Sequence, residues 1–301
     1  MKSYKYIGIW LIALTCLLFS ACTSDDDNND RIATEIEQID ATHVKAEGII
    51  YVFKKDHFEV SSYVKKEIEE NAKRSLFSKI RFKEKDYEVT TICRSALNNC
   101  VNLSSIYLPN TITKIDSFAF YSCRNLRQCN LPKNLQYLRD GVFTQCNIQV
   151  VTVPARVKKI EQHAYSYNEA LTSVNIADSV ESIGYASFGY CPNITSIKMP
   201  ASLNYIGKFA FESCYRLQKI EIPENVTSLP YCCFRYCFNL KEATLPAKLK
   251  EINAEAFGQC TSLKTIHFKG TKQQWKSISK TGNWNQSCSK ELVIECSDGT
   301  I

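Results

Sequence analysis

Apolar and polar positions recur along most of this chain at one fixed interval. A Cys-x-x-Leu pair stands at Cys100 and Leu103, Cys123 and Leu126, Cys191 and Ile194, Cys214 and Leu217, Cys237 and Leu240, and Cys260 and Leu263. Two irregular copies complete the series: Cys146-Asn147-Ile148 is one residue short, and Asn168 takes the cysteine position ahead of Leu171. Successive anchors are 23 residues apart in every interval but one, which is 22 and contains the short copy. Other columns keep the same interval. Apolar residues precede proline at Leu108-Pro109, Leu131-Pro132, Val153-Pro154, Met199-Pro200, Ile222-Pro223 and Leu245-Pro246, and an Ile-x-x-x-small-aromatic block such as Ile115 to Ala119-Phe120 falls between them.

Within a copy, Leu103-x-x-Ile106-x-Leu108-Pro109 places apolar residues two apart, the period of a short strand with one buried face, and the proline ends it. No copy buries its apolar face alone, so successive 23-residue coils must stack into a continuous core. Parallel strands ~4.8 Å apart give eight coils a sheet roughly 40 Å long. The repeat Ala-Phe-x-x-Cys-x-x-Leu-x-x-Ile-x-Leu-Pro-x-x-Leu-x-x-Ile, over residues 90–269, resembles the BspA-like leucine-rich repeats of bacterial surface proteins. The resemblance implies an α/β-type repeat solenoid: a right-handed leucine-rich-repeat coil with a parallel concave sheet of about eight repeats, capped at both ends. It further implies adhesion or protein binding without catalysis.

Caps are required because terminal coils would otherwise expose core. Residues 31–89 are expected to form the N-terminal one. Gly48–Phe53 reads as strand, Val64, Ile68, Ala72 and Leu76 as an amphipathic helix, and Ile80–Phe82 with Tyr87–Val89 as a hairpin. Residues 270–301 are expected to close the far end, with Thr271 and Gln274 in a capping box and Trp275 and Ile278 on one face.

The N-terminus is of another kind. Lys2 and Lys5 precede an apolar run from Ile7 to Phe19, too short for the ~20 residues that span a bilayer. Residues 1–21 read as a signal peptide. Phe19-Ser20-Ala21-Cys22 is similar to the lipobox of bacterial lipoproteins, which implies lipidation at Cys22 and a membrane contact through that anchor. Residues 22–30 then form a polar, acidic tether that cannot pack. Its Ser-Asp-Asp-Asp run resembles the export signal of Bacteroidetes lipoproteins, implying an outer-membrane, cell-surface location; a periplasmic spacer is the alternative.

Composition sharpens one point. The chain holds fifteen cysteines among 301 residues but only ten glycines. Seven cysteines share one column, where equivalent residues of stacked coils lie side by side with parallel Cβ vectors, unlike a disulfide pair. They read as buried free thiols filling the core. Cys288 and Cys296 fall outside the columns and are candidates to pair. A line of thiols is not a tetrahedral zinc site, so no metal is expected.

No catalytic motif stands out among His43, His57, His163 and His267, and no cofactor is implied. The formal charge is +6, with −4 over residues 23–79 and +8 over residues 80–301, which favours acidic partners. Dispersed basic residues on an exported chain do not indicate nucleic acid. The leading reading is a surface-anchored adhesion protein whose partner is a protein, or in the alternative a glycan-binding accessory lipoprotein of the envelope. Binding hot spots favour Trp, Tyr and Arg. The candidates are Tyr107 on the strand face and, flanking the cysteine column, Tyr121, Arg124, Tyr167, Tyr190, Tyr215, Arg216, Tyr236 and Phe238.

Overall fold

In a computed structural model, which describes residues 31–69 and 72–301, each repeat is one coil that contributes to three parallel ladders running along the stack. The first ladder is the expected one. Strands such as Ser173–Ile176, Ser196–Lys198, Glu242–Leu245 and Thr265–Phe268 pair in parallel with the repeat register, Val174 opposite Ile197 and Ala243 opposite Ile266. Their inward residues are buried and their alternating neighbours face outward. The ladder breaks between Gln128–Cys129 and Val150–Val153, where the short copy removes a residue. A second break, between Ser196–Lys198 and Lys219–Glu221, has no counterpart in the sequence spacing.

The second ladder was not expected. The Ile column before the small-aromatic pair forms two-residue parallel strands, Lys114–Ile115, Tyr137–Leu138, Lys159–Ile160, Ser182–Ile183 and Tyr205–Ile206. These continue the sheet of the N-terminal segment, in which Ile49–Lys54 pairs antiparallel with His43–Ala46 and His57–Tyr63, and His57–Tyr63 runs parallel to Lys85–Ile92. Lys79–Phe82 and Lys85–Ile92 form the expected hairpin. The expected helix is corrected: α1 covers only Lys65–Glu69, and Lys73–Ser75 is a strand paired with Ser105–Tyr107. Register with the first coil overrides the i, i+4 spacing that extended the helix to Leu76.

The third ladder lies in the turns. In each coil alternate N–H groups donate to the next coil, as from Phe188 to Ala210, Tyr190 to Glu212, Phe211 to Cys233 and Ser213 to Arg235, at 2.7–2.9 Å. These turns hold two residues per coil at positive φ, for example Phe118 and Ser122, His163 and Tyr167, Cys232 and Tyr236, and only one of these positions, Gly141, is glycine. Such conformations cost of order 1–2 kcal/mol each. The bonds to the neighbouring coil hold them in place.

Between the ladders runs an aromatic spine. Phe120, Phe143, Tyr165, Phe188, Phe211, Phe234 and Phe257 stack with centroids 5.1–5.6 Å apart and planes within 15°. Trp284 closes the far end edge-on at 6.2 Å and meets Trp275 of α2 (Lys272–Ser277), whose N-terminus carries the Thr271–Gln274 capping box.

The cysteine column serves that spine. From Cys123 onward each thiol donates to the carbonyl of the spine position one coil earlier: Cys123 to Leu97, Cys146 to Phe120, Cys191 to Tyr165, Cys214 to Phe188, Cys237 to Phe211 and Cys260 to Phe234, at 3.1–3.4 Å. Cys288 belongs to the same column, donating to Phe257 at 3.2 Å. All cysteines among the described residues are free, including Cys296 at the end of Val293–Cys296. Burial pushes the Cys191 and Cys288 thiols up to about 12, so they stay protonated and able to donate.

Asn168 repairs what the short copy breaks. Its amide nitrogen donates to Phe143 at 2.7 Å, replacing the thiol, and to Tyr165 at 2.8 Å. In full-length copies the residue in the leucine position bonds back three residues to the cysteine carbonyl, as Leu126 does to Cys123. Ile148 sits only two residues from Cys146, and its N–H instead donates to Asn168 Oδ1 at 3.1 Å. The two irregular copies are therefore one compensated pair.

Candidate functional site

The cysteine column dictates what flanks it. The positions immediately before and after the column residue (cysteine, or Asn168) lie in the turn, and where they are aromatic they form rows, Tyr167, Tyr190 and Tyr236 in one column and Tyr215 and Phe238 in the next. Left-handed backbone at Tyr167, Tyr190 and Tyr236 turns these side chains outward. The structure gathers them into one aromatic stripe. Tyr167 and Tyr190 stack at 4.6 Å with planes 2° apart, Tyr215 stacks on Phe238 at 5.2 Å, and Tyr236 lies 5.8 Å from Phe238. Tyr190 and Tyr215 are close enough to interact electrostatically. Tyr167, Tyr190, Tyr215 and Phe238 are 39–45% exposed.

A buried polar group underlies the stripe. Glu212 is 5% exposed, and burial raises its carboxyl above the ordinary value, opposed by a hydrogen bond from Tyr190 and by the charge of Arg235. Partial burial and the neighbouring Glu212 push the Tyr190 phenol up to about 12. Arg235 lies 4.0 Å from Glu212, pairs with Glu255 at 2.7 Å, and covers the Tyr236 ring at 4.5 Å. Glu212 and Arg235 escaped the sequence reading because they occupy a column that holds Ser166 and Gly189 in preceding coils.

The remaining candidates are placed differently. Arg124 joins Tyr167 in lining a groove of about 310 Å³ with Gln145, Asn147 and Glu169. Arg216 is exposed beside Tyr215, its backbone N–H donating to Pro192 at 3.0 Å. Tyr121 lies edge-on to Phe118 at 6.0 Å, and Tyr107 ends the strand Ser105–Tyr107 of the first ladder, away from the stripe. The expected lipid anchor at Cys22, the signal peptide and the acidic tether lie outside the described residues.

On the first ladder the outward residues are mostly small or polar, and Lys219 pairs with Glu242 at 2.8 Å and Lys269 with Glu221 at 2.9 Å, while His267 Nδ1 lies 2.7 Å from the Glu295 carboxylate. At its second break they line a groove of about 670 Å³ with Met199 and Pro223. Among the described residues no group of three or more His, Cys, Asp and Glu is arranged to hold a metal ion. His163 lies 3.1 Å from the Ser166 hydroxyl, which is buried and donates to the carbonyl of Ala186. That geometry does not activate the serine, because its proton already points away from the imidazole.

Residues 51–172 and 158–280 match the family described as the BspA type leucine rich repeat region, in six copies. No curated protein sequence matches the chain. Among solved structures, it is similar to the pneumococcal vaccine antigen PcpA, with 14% identity over 88% of this chain and 90% of that one at a TM-score of 0.49. A leucine-rich repeat protein of Bacteroides ovatus has 20% identity over 84% of this chain and 90% of that one, TM-score 0.43. A leucine rich cell surface protein of Faecalibacterium prausnitzii has 17% identity over 80% and 98%, TM-score 0.40.

Proposed function

The chain belongs to the BspA-type leucine-rich-repeat family, and from that premise we propose that it is a non-catalytic binding protein, held at the cell surface by a lipid on Cys22 and recognising a protein partner through its aromatic stripe. The observation that carries the reading is the stripe itself. Five aromatic side chains from four coils, Tyr167, Tyr190, Tyr215, Tyr236 and Phe238, are gathered on one surface of the stack, beside a spine that buries its own rings. Aromatic residues are the anchors that protein interfaces most often use. Rings already stacked on one another lose little freedom on binding, which favours affinity. Arg124 beside Tyr167 and Arg216 beside Tyr215 add charge at the margin.

The direct test is to present the purified chain to a panel of extracellular matrix proteins by biolayer interferometry and to repeat any positive with Tyr167→Ala, Tyr190→Ala and Tyr215→Ala combined. A loss of about tenfold or more supports the stripe. Unchanged affinity in that variant assigns the partner to another face and removes the proposal. Anchoring is tested separately: labelled fatty acid should enter the wild-type chain in cells and not Cys22→Ala, and surface protease should reach the wild type.

A further inference from the structure

The second ladder carries a different surface. Between the coils of Tyr137–Leu138 and Lys159–Ile160 lies a groove of about 600 Å³ whose walls include Tyr137, Arg139, Arg156, Lys158 and Lys159. A neighbouring groove of about 500 Å³ shares Arg156 and adds Lys133, with the amide and hydroxyl side chains of Asn110, Thr111 and Asn134. The two together present five cationic groups against two carboxylates, Glu161 and Glu88. Lys158 reaches Glu181 at 3.6 Å, an exposed pair of small worth that an incoming anion would replace.

The placement follows from the repeat. Each coil turns sharply between the proline and the second-ladder strand, and outward positions of neighbouring coils fall into rows. Tyr137 and Lys159 occupy equivalent positions, as do Arg139 and Glu161. Residues 22 or more apart in sequence are thereby set side by side, forming a cationic strip from Lys133 to Lys159. From Lys85–Ile92 to Lys159–Ile160 the sheet advances three strand spacings, about 14 Å at ~4.8 Å each. The strip contains an aromatic as well: Tyr137 is 47% exposed, with the Arg139 guanidinium over its ring at 4.9 Å from the centroid.

We propose that this groove binds a linear anionic polysaccharide, one bearing sulfate or carboxylate groups. Guanidinium forks at Arg139 and Arg156 suit the planar geometry of a carboxylate or two oxygens of a sulfate. Lys133, Lys158 and Lys159 supply charge without directional demand. Tyr137 offers an apolar plate to the face of a sugar ring, and Asn110, Asn134, Gln136 and the threonines suit its hydroxyls. The site is in different columns from the aromatic stripe, so one molecule can hold both ligands.

The test measures anisotropy of fluorescein-labelled dextran sulfate, polygalacturonate and neutral dextran with the purified full chain, with a single-stranded DNA of similar charge as a non-sugar polyanion. Binding of either anionic polymer, falling with added salt and absent for neutral dextran, is expected. The polymer that binds more tightly identifies sulfate or carboxylate as the recognised group. Combined Arg139→Gln, Arg156→Gln and Lys159→Gln should weaken it by about tenfold or more. The single change Arg156→Gln, at an exposed side chain whose loss leaves the core intact, should weaken it measurably. Tyr137→Ala should weaken glycan binding, while Tyr167→Ala with Tyr190→Ala should leave it unchanged. Failure of both anionic polymers to bind, indifference to the basic substitutions, or DNA binding as tightly and without regard to Tyr137 would each overturn the assignment.

Discussion

Replacing Asn168 by cysteine gives that coil the residue its neighbours use, yet the structure predicts destabilisation. Cysteine restores a thiol donor to the Phe143 carbonyl but gives up the acceptor that holds the Ile148 N–H and the donor to Tyr165. The Tyr165 carbonyl keeps the Cys191 thiol, but the Ile148 N–H lies in the buried stack with no other partner among the described residues, where an unpaired group costs about 1–3 kcal/mol. The expected loss is about 1–3 kcal/mol, with Asn168→Ala at the upper end because it also leaves the Phe143 carbonyl only the long bond from the Cys146 N–H. Inserting one serine between Asn147 and Ile148 restores the Cys-x-x-Ile spacing, letting the isoleucine N–H reach back to Cys146. Insertion alone should cost about 1–2 kcal/mol by stranding the Asn168 oxygen. Insertion together with Asn168→Cys should recover most of the wild-type stability. Urea unfolding followed by circular dichroism on the four proteins closes a double-mutant cycle, with an expected coupling of about 2 kcal/mol. If the two changes add within about 0.5 kcal/mol, the compensation argument is wrong.

Three further outcomes follow from the same geometry. Phe188→Ala, which removes a ring held between Tyr165 and Phe211 at 5.4 and 5.6 Å, should cost about 3–5 kcal/mol in the same urea assay; a loss below 1 kcal/mol would show that the spine collapses freely. Buried thiols held at about 12 make the fold prefer their protonated forms, so stability is full below the unfolded-state thiol value near ~8.5 and declines as pH rises from there towards 12. Native alkylation at mildly alkaline pH, read by mass spectrometry, should therefore mark Cys296 before any column cysteine, and uniform labelling would contradict the burial. Glu212→Gln should bring the Tyr190 phenol down from about 12 towards ~10, seen in an ultraviolet difference titration as one phenol fewer titrating near 12, while the buried Tyr51 and Tyr165 still titrate later; an unmoved step would mean that partial burial alone sets it.

The parts of the fold legible in the sequence were those carried by long alternation or strict recurrence. Ile106, Leu108 and their equivalents announced the first ladder, and Thr271 with Gln274 announced the α2 cap. The second ladder was hidden because two-residue strands such as Lys159–Ile160 are too short to alternate. The left-handed turns were hidden because glycine, the usual sign of positive φ, fills few of them; Tyr167, Phe209 and Cys232 adopt that conformation under constraint from the adjacent coil. Cys288 was hidden because it follows Cys260 by 28 residues, a repeat lengthened by the insertion that forms α2. Of the candidate site, the column argument found the stripe residues but not their foundation in Glu212 and Arg235. The basic groove was illegible for a related reason: Lys133, Arg139 and Arg156 become neighbours only when the coils stack.

The three ladders share a direction, since every hydrogen bond that joins one coil to the next runs along the axis of the stack. That direction sets the mechanical response. Tension between the two ends loads the bonds of one junction together but those of successive junctions in series, so the stack opens one coil at a time from whichever end is less secured. Each released coil lengthens the chain by about 75 Å, from 23 residues at ~3.4 Å each less the ~4.8 Å it occupied when stacked. A protein of this build, gripped at one end and pulled at the other, gives way in small steps and dissipates the load while the coils still stacked keep their surfaces intact.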